Sequence, residues 1–369
     1  MQFRDLNRQY QALKPEIDAA MLRVAASGAF IMGPQVAELE QQLADYVGVK
    51  HCISCANGTD ALSLALMAWG VGAGDAVFVP DFTFFSSAEV VSHIGATPIF
   101  VDVEMDTFNI SLPDLEAKLA ALPAGLTPRA VAAVDLFGLP ADFRALRAFA
   151  NRHGLLILED AAQGFGGSID GQKACSFGHI ATTSFFPAKP LGCYGDGGAL
   201  FTDNDDWAAL LRSFRVHGKG SDKYDNVRIG LNSRLDTLQA AILQVKLKAF
   251  ADSELDAVNR VASRYTAYLA GRVATPHIPA DFRSSWAQYT VQLADRDRVQ
   301  AALKADGIPS MVYYPKPMSA QTAFAPVARL QGPCPNAARL SSTVLSLPMH
   351  PYMTDAEVTL VSEKLLAAI

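Results

Sequence analysis

The sequence predicts an α/β protein: a mainly parallel, seven-stranded sheet between helices, followed by a smaller α+β C-terminal unit. Two observations predict it. From residue 52 to residue 202, short apolar or β-branched runs alternate with stretches of helical periodicity, the pattern of a parallel sheet with helices on both faces. After about residue 256 that alternation stops, and a helix, two strands and a terminal helix follow. The division expected is residues 1–255 and 256–369.

Each element has its own signal. Residues 12–27 space Leu13, Ile17, Ala20, Met21 and Val24 as one helical face and lead to the turn at Gly33-Pro34. Residues 35–48 repeat this with Val36, Leu39, Leu43 and Val47. Candidate strands are Cys52–Ser54, Ala76–Val79, Pro98–Val103, Ala130–Val134, Leu155–Glu159, Thr182–Phe186 and Ala199–Thr202. Helical patterns such as Leu112–Leu122 and Ala141–Arg152 lie between them. Leu235–Glu254 reads as a helix running toward the second unit, where Gln288–Leu293 and Ser310–Tyr314 read as strands and Asp355–Ala368 as the last helix.

Bulk properties remove several function classes. The 369 residues are 50% hydrophobic and 18% charged, with net charge −6. A pI of about 5.6 argues against nucleic acid, which selects basic surfaces. Five cysteines make no disulfide framework, so a reducing cytoplasm is expected. Cys52 and Cys55 form a CxxC without the second pair a zinc site needs, and they read as buried small hydrophobes. The histidines lack metal-ligand spacing, so no metal is expected. Charges at Arg4, Asp5, Arg8, Lys14 and Glu16 argue against a secretory signal, and Ala61–Gly74 falls short of the ~20 apolar residues that span a bilayer.

The chemistry-bearing residues lie where strands end. Lys189 follows the run Thr182–Phe186 between Pro187 and Pro190. A lone lysine is usually a surface residue; a desolvated one is the nucleophile that forms Schiff bases with carbonyl compounds. Asp160 ends the apolar run Leu155–Leu158. Taken alone it reads as a helix-capping carboxylate. Paired with Lys189 it matches the two protein signatures of pyridoxal phosphate chemistry, a Schiff-base lysine and an aspartate on the pyridinium nitrogen. Gly58 and Thr59 open a helix and read equally as an anion site on its N-terminus or as part of an ordinary cap at Asn57 or Thr59. Ser184 offers a hydroxyl to the same anion. Phe84 follows Val77–Val79 and reads as a core aromatic or as a ring that stacks on a planar cofactor.

With these stretches in view, the chain resembles the DegT/DnrJ/EryC1/StrS family of pyridoxal-phosphate-dependent nucleotide-sugar aminotransferases. The resemblance runs from Phe3-Arg4-Asp5-Leu6 and Ile31-Met32-Gly33-Pro34 to Leu347-Pro348-Met349-His350-Pro351. Between them it rests on Asn57–Leu62, Glu159–Gln163, Ser184–Lys189, Gly195–Gly198 and Gly230–Arg234, five motifs in the family's order. It implies the fold-type I architecture, a homodimer, L-glutamate as amino donor and a nucleotide-linked keto sugar as acceptor. Within the family the sequence is most similar to the branch that aminates C3 of a UDP-linked 2-acetamido-2-deoxy-3-keto-hexuronic acid for bacterial surface polysaccharide such as O-antigen. A 3-keto or 4-keto-6-deoxy sugar on dTDP, UDP or GDP is the alternative.

The resemblance also implies roles. Lys189 holds the cofactor and shuttles the proton, Asp160 keeps the ring nitrogen protonated, and Gln163 approaches O3′. Gly58, Thr59 and Ser184 bind the phosphate, and Phe84 covers a ring face. Asn232 reaches the neighbouring subunit's phosphate. Arg234, Tyr313 and Tyr314 are the substrate-side candidates. Tyr313 stands where many relatives carry a histidine before Tyr-Pro.

Three other readings fit less well. Sugar dehydratases of this fold, which hold the cofactor without a Schiff base, replace the lysine that this chain retains. A nicotinamide-dependent oxidoreductase needs G-x-G-x-x-G after the first strand, which Asn57-Gly58-Thr59-Asp60 does not supply. A regulator on this fold needs a DNA-binding module, and no basic helix-turn-helix segment is left over.

Overall fold

The computed structural model describes residues 1–222, 224–329 and 331–369. Two helices open the chain: α1 (Leu6–Ser27) and α2 (Pro34–Val47). The first begins earlier than its apolar periodicity predicts. Asp5 caps it by accepting from the Arg8 amide at 3.0 Å, so its polar first turns are helical without an apolar face.

The alternating region follows as β1 (His51–Cys55), α3 (Gly58–Ala68), β2 (Asp75–Pro80), α4 (Ser86–His93), β3 (Thr97–Val101), α5 (Leu112–Ala120), β4 (Thr127–Val134), α6 (Phe143–His153) and β5 (Leu156–Asp160). A short ribbon of β6 (Ser168–Ile169) and β7 (Gln172–Lys173) precedes β8 (Ile180–Ser184), β9 (Gly198–Thr202) and α7 (Asp205–Phe214).

Seven strands form one sheet in the order β1-β9-β8-β5-β4-β2-β3. The pairs from β8 to β3 are parallel, and β9 runs antiparallel to both of its neighbours. The expected mainly parallel seven-stranded sheet is therefore present. Both of its faces are covered, as a parallel sheet requires. Phe78 of β2 packs into one apolar layer with Leu39 and Leu43 of α2 and Phe149 of α6. Val77 and Val79, on the opposite face, join Leu62 and Leu66 of α3 and Val91 of α4. The same packing buries Cys52 and Cys55, and all five cysteines are free thiols in the interior.

Beyond the sheet, α8 (Thr237–Ala249) passes through a wider π-helical turn at Phe250–Glu254 into α9 (Leu255–Leu269) without a break in the helix. The C-terminal part adds β10 (Phe282–Arg283), β11 (Tyr289–Gln292), α10 (Arg296–Ala305), α11 (Ala325–Ala328), α12 (Pro335–Thr343), β12 (Val344–Leu347) and α13 (Asp355–Ala368). Strands β11 and β12 pair antiparallel.

One predicted strand is absent. Ser310–Tyr314 makes only a bridge from Met311 to Ser346, and β11 has β12 as its partner instead. Pro315 and Pro317 follow at once and lack the amide donors a ladder needs. The segment leaves the bridge to line a cavity.

Candidate active site

Strands β1, β2, β5 and β8 end on the same edge of the sheet, and the segments after them enclose a cavity of about 480 Å³. Gly58, Thr59, Phe84, Asp160, Gln163, Ser184, Lys189, Tyr313 and Tyr314 all line it. Nine of the eleven residues singled out in the sequence are thus brought together.

The first wall is the start of α3. Asn57 is the cap, its side-chain oxygen accepting from the Asp60 amide at 2.8 Å. That settles the choice between Asn57 and Thr59. It also leaves the Gly58 and Thr59 amides in the first turn, where a helix has no acceptor of its own to offer. Gly58 is required by space: a Cβ there would lie 2.7 Å from the Ser184 Cβ. Gly198 presses from the other side, and a Cβ on it would stand 2.5 Å from the Asn57 carbonyl oxygen. The helix terminus and the Ser184 hydroxyl therefore form one compact donor cluster, shaped for an anion such as phosphate.

Asp160 closes the floor. Only 4% exposed, it accepts from the Ser87 hydroxyl at 2.8 Å and from the Ala162 amide at 3.2 Å. Burial raises its pKa, while Ser87, the Ala162 amide and the Lys189 charge oppose that rise by favouring the carboxylate. Lys189 shows the reverse balance. Burial is the largest influence and lowers its pKa, Asp160 raises it, and Arg4 lowers it again. A lysine amine that burial drives toward neutrality and a buried carboxylate thus share one pocket.

Gln163 sits between them and the far wall. Its oxygen accepts from the Phe137 amide at 2.9 Å, and its nitrogen donates to the Tyr314 hydroxyl at 3.0 Å. The Tyr314 ring in turn lies 6.1 Å from Phe82 and 6.2 Å from Phe84. Phe84 is 52% exposed, a wall residue facing the opening and not the core aromatic that was the other reading. Tyr313 stands edge-on to Tyr314.

Asn232 and Arg234 do not reach this cavity within one chain. Asn232 is exposed and bridges Val216, and Arg234 is half-buried nearby. Their loop runs beside Phe30–Met32: Ile31 bridges Asp236, and the Phe30 carbonyl accepts from the Thr237 amide at 2.9 Å. Phe30, Ile31, Met32 and Ile229 are large apolar side chains left exposed around them.

Three residues at the site had no site role assigned from the sequence. Ser87 pairs with Asp160 across 73 positions, and Arg4 pairs with the Lys189 carbonyl across 185. Gln288 lines the cavity with a buried side-chain oxygen that has no partner among the described residues. Motif reading finds neighbours in the chain, and these are neighbours only in space. Among the described residues no cluster of His, Cys, Asp and Glu could hold a metal ion.

The architecture and site agree with what the chain is similar to. The sequence profile of the DegT/DnrJ/EryC1/StrS aminotransferase family matches residues 11–366. The UDP-2-acetamido-2-deoxy-3-oxo-D-glucuronate aminotransferase of Pseudomonas aeruginosa is 46% identical over 98% of both chains. A solved DegT/DnrJ/EryC1/StrS aminotransferase from Brucella abortus is 49% identical, with TM-score 0.97 over 100% of this chain and 99% of the other. NtdA from Bacillus subtilis, solved with its bound cofactor PMP, is 30% identical, with TM-score 0.89 over 97% of this chain and 82% of its own. The donor cluster, the buried carboxylate and the amine fit the phosphate, ring nitrogen and aldehyde of pyridoxal 5′-phosphate. The chain belongs to the DegT/DnrJ/EryC1/StrS aminotransferase family and is a pyridoxal-phosphate-dependent sugar transaminase.

Proposed function

We propose that the protein moves an amino group from L-glutamate to C3 of a UDP-linked 2-acetamido-2-deoxy-3-keto-hexuronic acid, in the synthesis of a bacterial surface polysaccharide. The observation that carries the reaction type is the meeting of Lys189 and Asp160 in one cavity beneath the Gly58–Ser184 donor cluster. The sugar rests on the name of the Pseudomonas aeruginosa relative.

Bound pyridoxal phosphate supplies the electron sink for the carbanion that deprotonation leaves on the amino donor. The chain does the rest. The Gly58 and Thr59 amides and the Ser184 hydroxyl hold the phosphate. Asp160, whose ionised form Ser87 and the Ala162 amide favour, would accept from the ring nitrogen. Phe84, at the cavity opening, would cover a face of the ring. Gln163 spends one N–H on Tyr314 and has a second for the ring hydroxyl. Lys189 Nζ would take the proton from the donor's α-carbon in one half-reaction and deliver one to the acceptor's carbon in the other.

Asn232 and Arg234 complete the site of a neighbouring subunit in a homodimer. What supports this is their place beside the exposed Phe30–Met32 segment, apolar surface that a second copy would cover. Arg234 pairs the uronate carboxylate through two parallel hydrogen bonds, with Tyr313 and Tyr314 on the sugar's other side. We place the enzyme in the cytoplasm; no helix among the described residues is long and apolar enough to cross a membrane. We take residues 1–255 as the cofactor-binding unit and 256–369 as the smaller one.

The test is to reduce the holoenzyme with borohydride and map the pyridoxyl group, expected on Lys189. The pyridoxamine form is then offered a panel of keto-sugar nucleotides, and the return of the visible cofactor spectrum is followed. A pyridoxyl group on another lysine removes the site assignment. Preference for a 4-keto-6-deoxy sugar removes the uronate.

A further inference from the structure

Arg4 lies in the short stretch before α1, far in sequence from the catalytic motifs. Its Nη2 nonetheless donates to the backbone carbonyl of Lys189 at 2.8 Å. The stretch is itself held in place: the Met349 amide donates to the Phe3 carbonyl at 3.0 Å, and Asp5 caps α1. On its other side, the Lys189 amide donates to the Phe186 carbonyl at 2.8 Å. The lysine backbone is thus tied both to its own loop and to the N-terminal segment.

Arg4 is half-buried, and burial lowers its pKa to about 10. Glu254, from the π-helical turn, and Tyr313 face it. Lys246 on α8, also buried and lowered to about 8, faces Arg4, Glu254 and Cys193. Glu254 is held by the Gln9 side-chain amide at 2.9 and 3.0 Å and by the Tyr352 hydroxyl at 2.6 Å. The charges that act on Lys189 itself are Asp160 in front and Arg4 behind. Asp160 favours a proton on the lysine nitrogen, and a guanidinium disfavours one.

We propose that Arg4 is a positioning residue for Lys189, fixing its backbone and lending a permanent positive charge that makes the lysine nitrogen release its proton more readily. Glu254 then sets how much of that charge is felt. The proposal rests on the reading that Lys189 carries the cofactor, so the experiment locates the pyridoxyl group first.

With the group mapped to Lys189, the holoenzyme's visible absorbance is titrated against pH for wild type, Arg4→Gln, Arg4→Lys and Glu254→Gln. Arg4→Gln is neutral and shorter, so it loses the charge, and its midpoint is expected to rise by about half a unit or more, a threefold or greater change in proton affinity. Arg4→Lys should stay close to wild type. Glu254→Gln, which unmasks Arg4, should move the midpoint down, and this readout stands even where Arg4→Gln fails to fold. An unchanged midpoint in folded Arg4→Gln, an equal rise in Arg4→Lys, or no downward shift in Glu254→Gln overturns the proposal. A pyridoxyl group on another lysine removes the underlying reading instead.

Discussion

The hydroxyl of Ser87 donates to Oδ2 of Asp160 across 2.8 Å, joining the first turn of α4 to the end of β5. Asp160 has two inward supports, and Ser87 is the one that a side-chain change can remove. Burial already raises the Asp160 pKa, so Ser87→Ala should raise it further. A hydrogen bond to a charged group contributes about 1.5–3 kcal/mol, so kcat/KM should fall about tenfold or more. The acid limb of the pH–rate profile should move to higher pH, while Ser87→Thr keeps the wild-type limb. An unmoved limb in Ser87→Ala would mean that Ser87 only fills space.

Arg234 is expected to discriminate among sugars. Arg234→Met should lower kcat/KM for the 3-keto uronate about tenfold to a hundredfold, the effect of losing a charged hydrogen bond. A matched sugar with a hydroxymethyl or methyl group at C6 should lose much less. The comparison is made in the half-reaction from the pyridoxamine form. Equal losses for every sugar would assign Arg234 to structure or to the amino donor.

Asn232 supplies the test of shared sites. Lys189→Ala and Asn232→Ala proteins, each of low activity, are mixed under conditions that exchange subunits. If Asn232 serves the neighbour, one site of each mixed dimer carries both wild-type residues, and activity should return. No recovery after exchange demonstrated by mass would place both residues in the same subunit's site.

A fourth expectation concerns stability. Asp135 and Glu159 are both fully buried carboxyls. Glu159 accepts from the amides of Cys175, Phe177 and Gly178, yet burial still pushes it from 4.5 up to about 7. Asp135 is raised by burial and by Glu159 beside it, and among the described residues its second oxygen accepts from no donor. The native pair keeps a proton that the unfolded chain releases. The Asp135 contribution is therefore complete below its ordinary pKa of 3.8 and falls as pH rises above it. Asp135→Asn supplies a permanent N–H in place of that proton. The thermal midpoint of the variant should exceed wild type at pH 8 and approach it as pH falls toward 3.8. A constant offset across the range would rule out the shared proton.

What could be read in advance follows from how each interaction is encoded. Lys189, Asp160 and Gly58 announce themselves because each sits in a contiguous run whose strand and flanking turn are visible together. The alternation of β2, with Phe78 on one face and Val79 on the other, is likewise local. Ser310–Tyr314 misleads because its residues favour a strand, while Pro315 and Pro317 just beyond it lack the amides that would extend the bridge at Met311. Arg4 and Ser87 were invisible because hydrogen-bond partners far apart in sequence leave no periodic mark. The polar start of α1 hid its first turns for the same reason, since a cap and not an apolar face begins that helix.

The pairing of β1 with β9 has a consequence for how the enzyme matures. His51 meets Thr202 in that ladder, so the sheet's far edge is assembled from segments about 150 residues apart. Contacts of such long range form slowly, because closing the long intervening loop costs entropy before the contact rewards it. The Asn57–Gly58 turn leans on Gly198 and Ser184, so it gains its shape only when that edge closes. A half-folded chain with β2 to β5 already ordered would still lack a place for the phosphate. Capture of the cofactor should therefore mark the end of folding, and a cell short of the vitamin would accumulate complete but empty chains, not arrested ones.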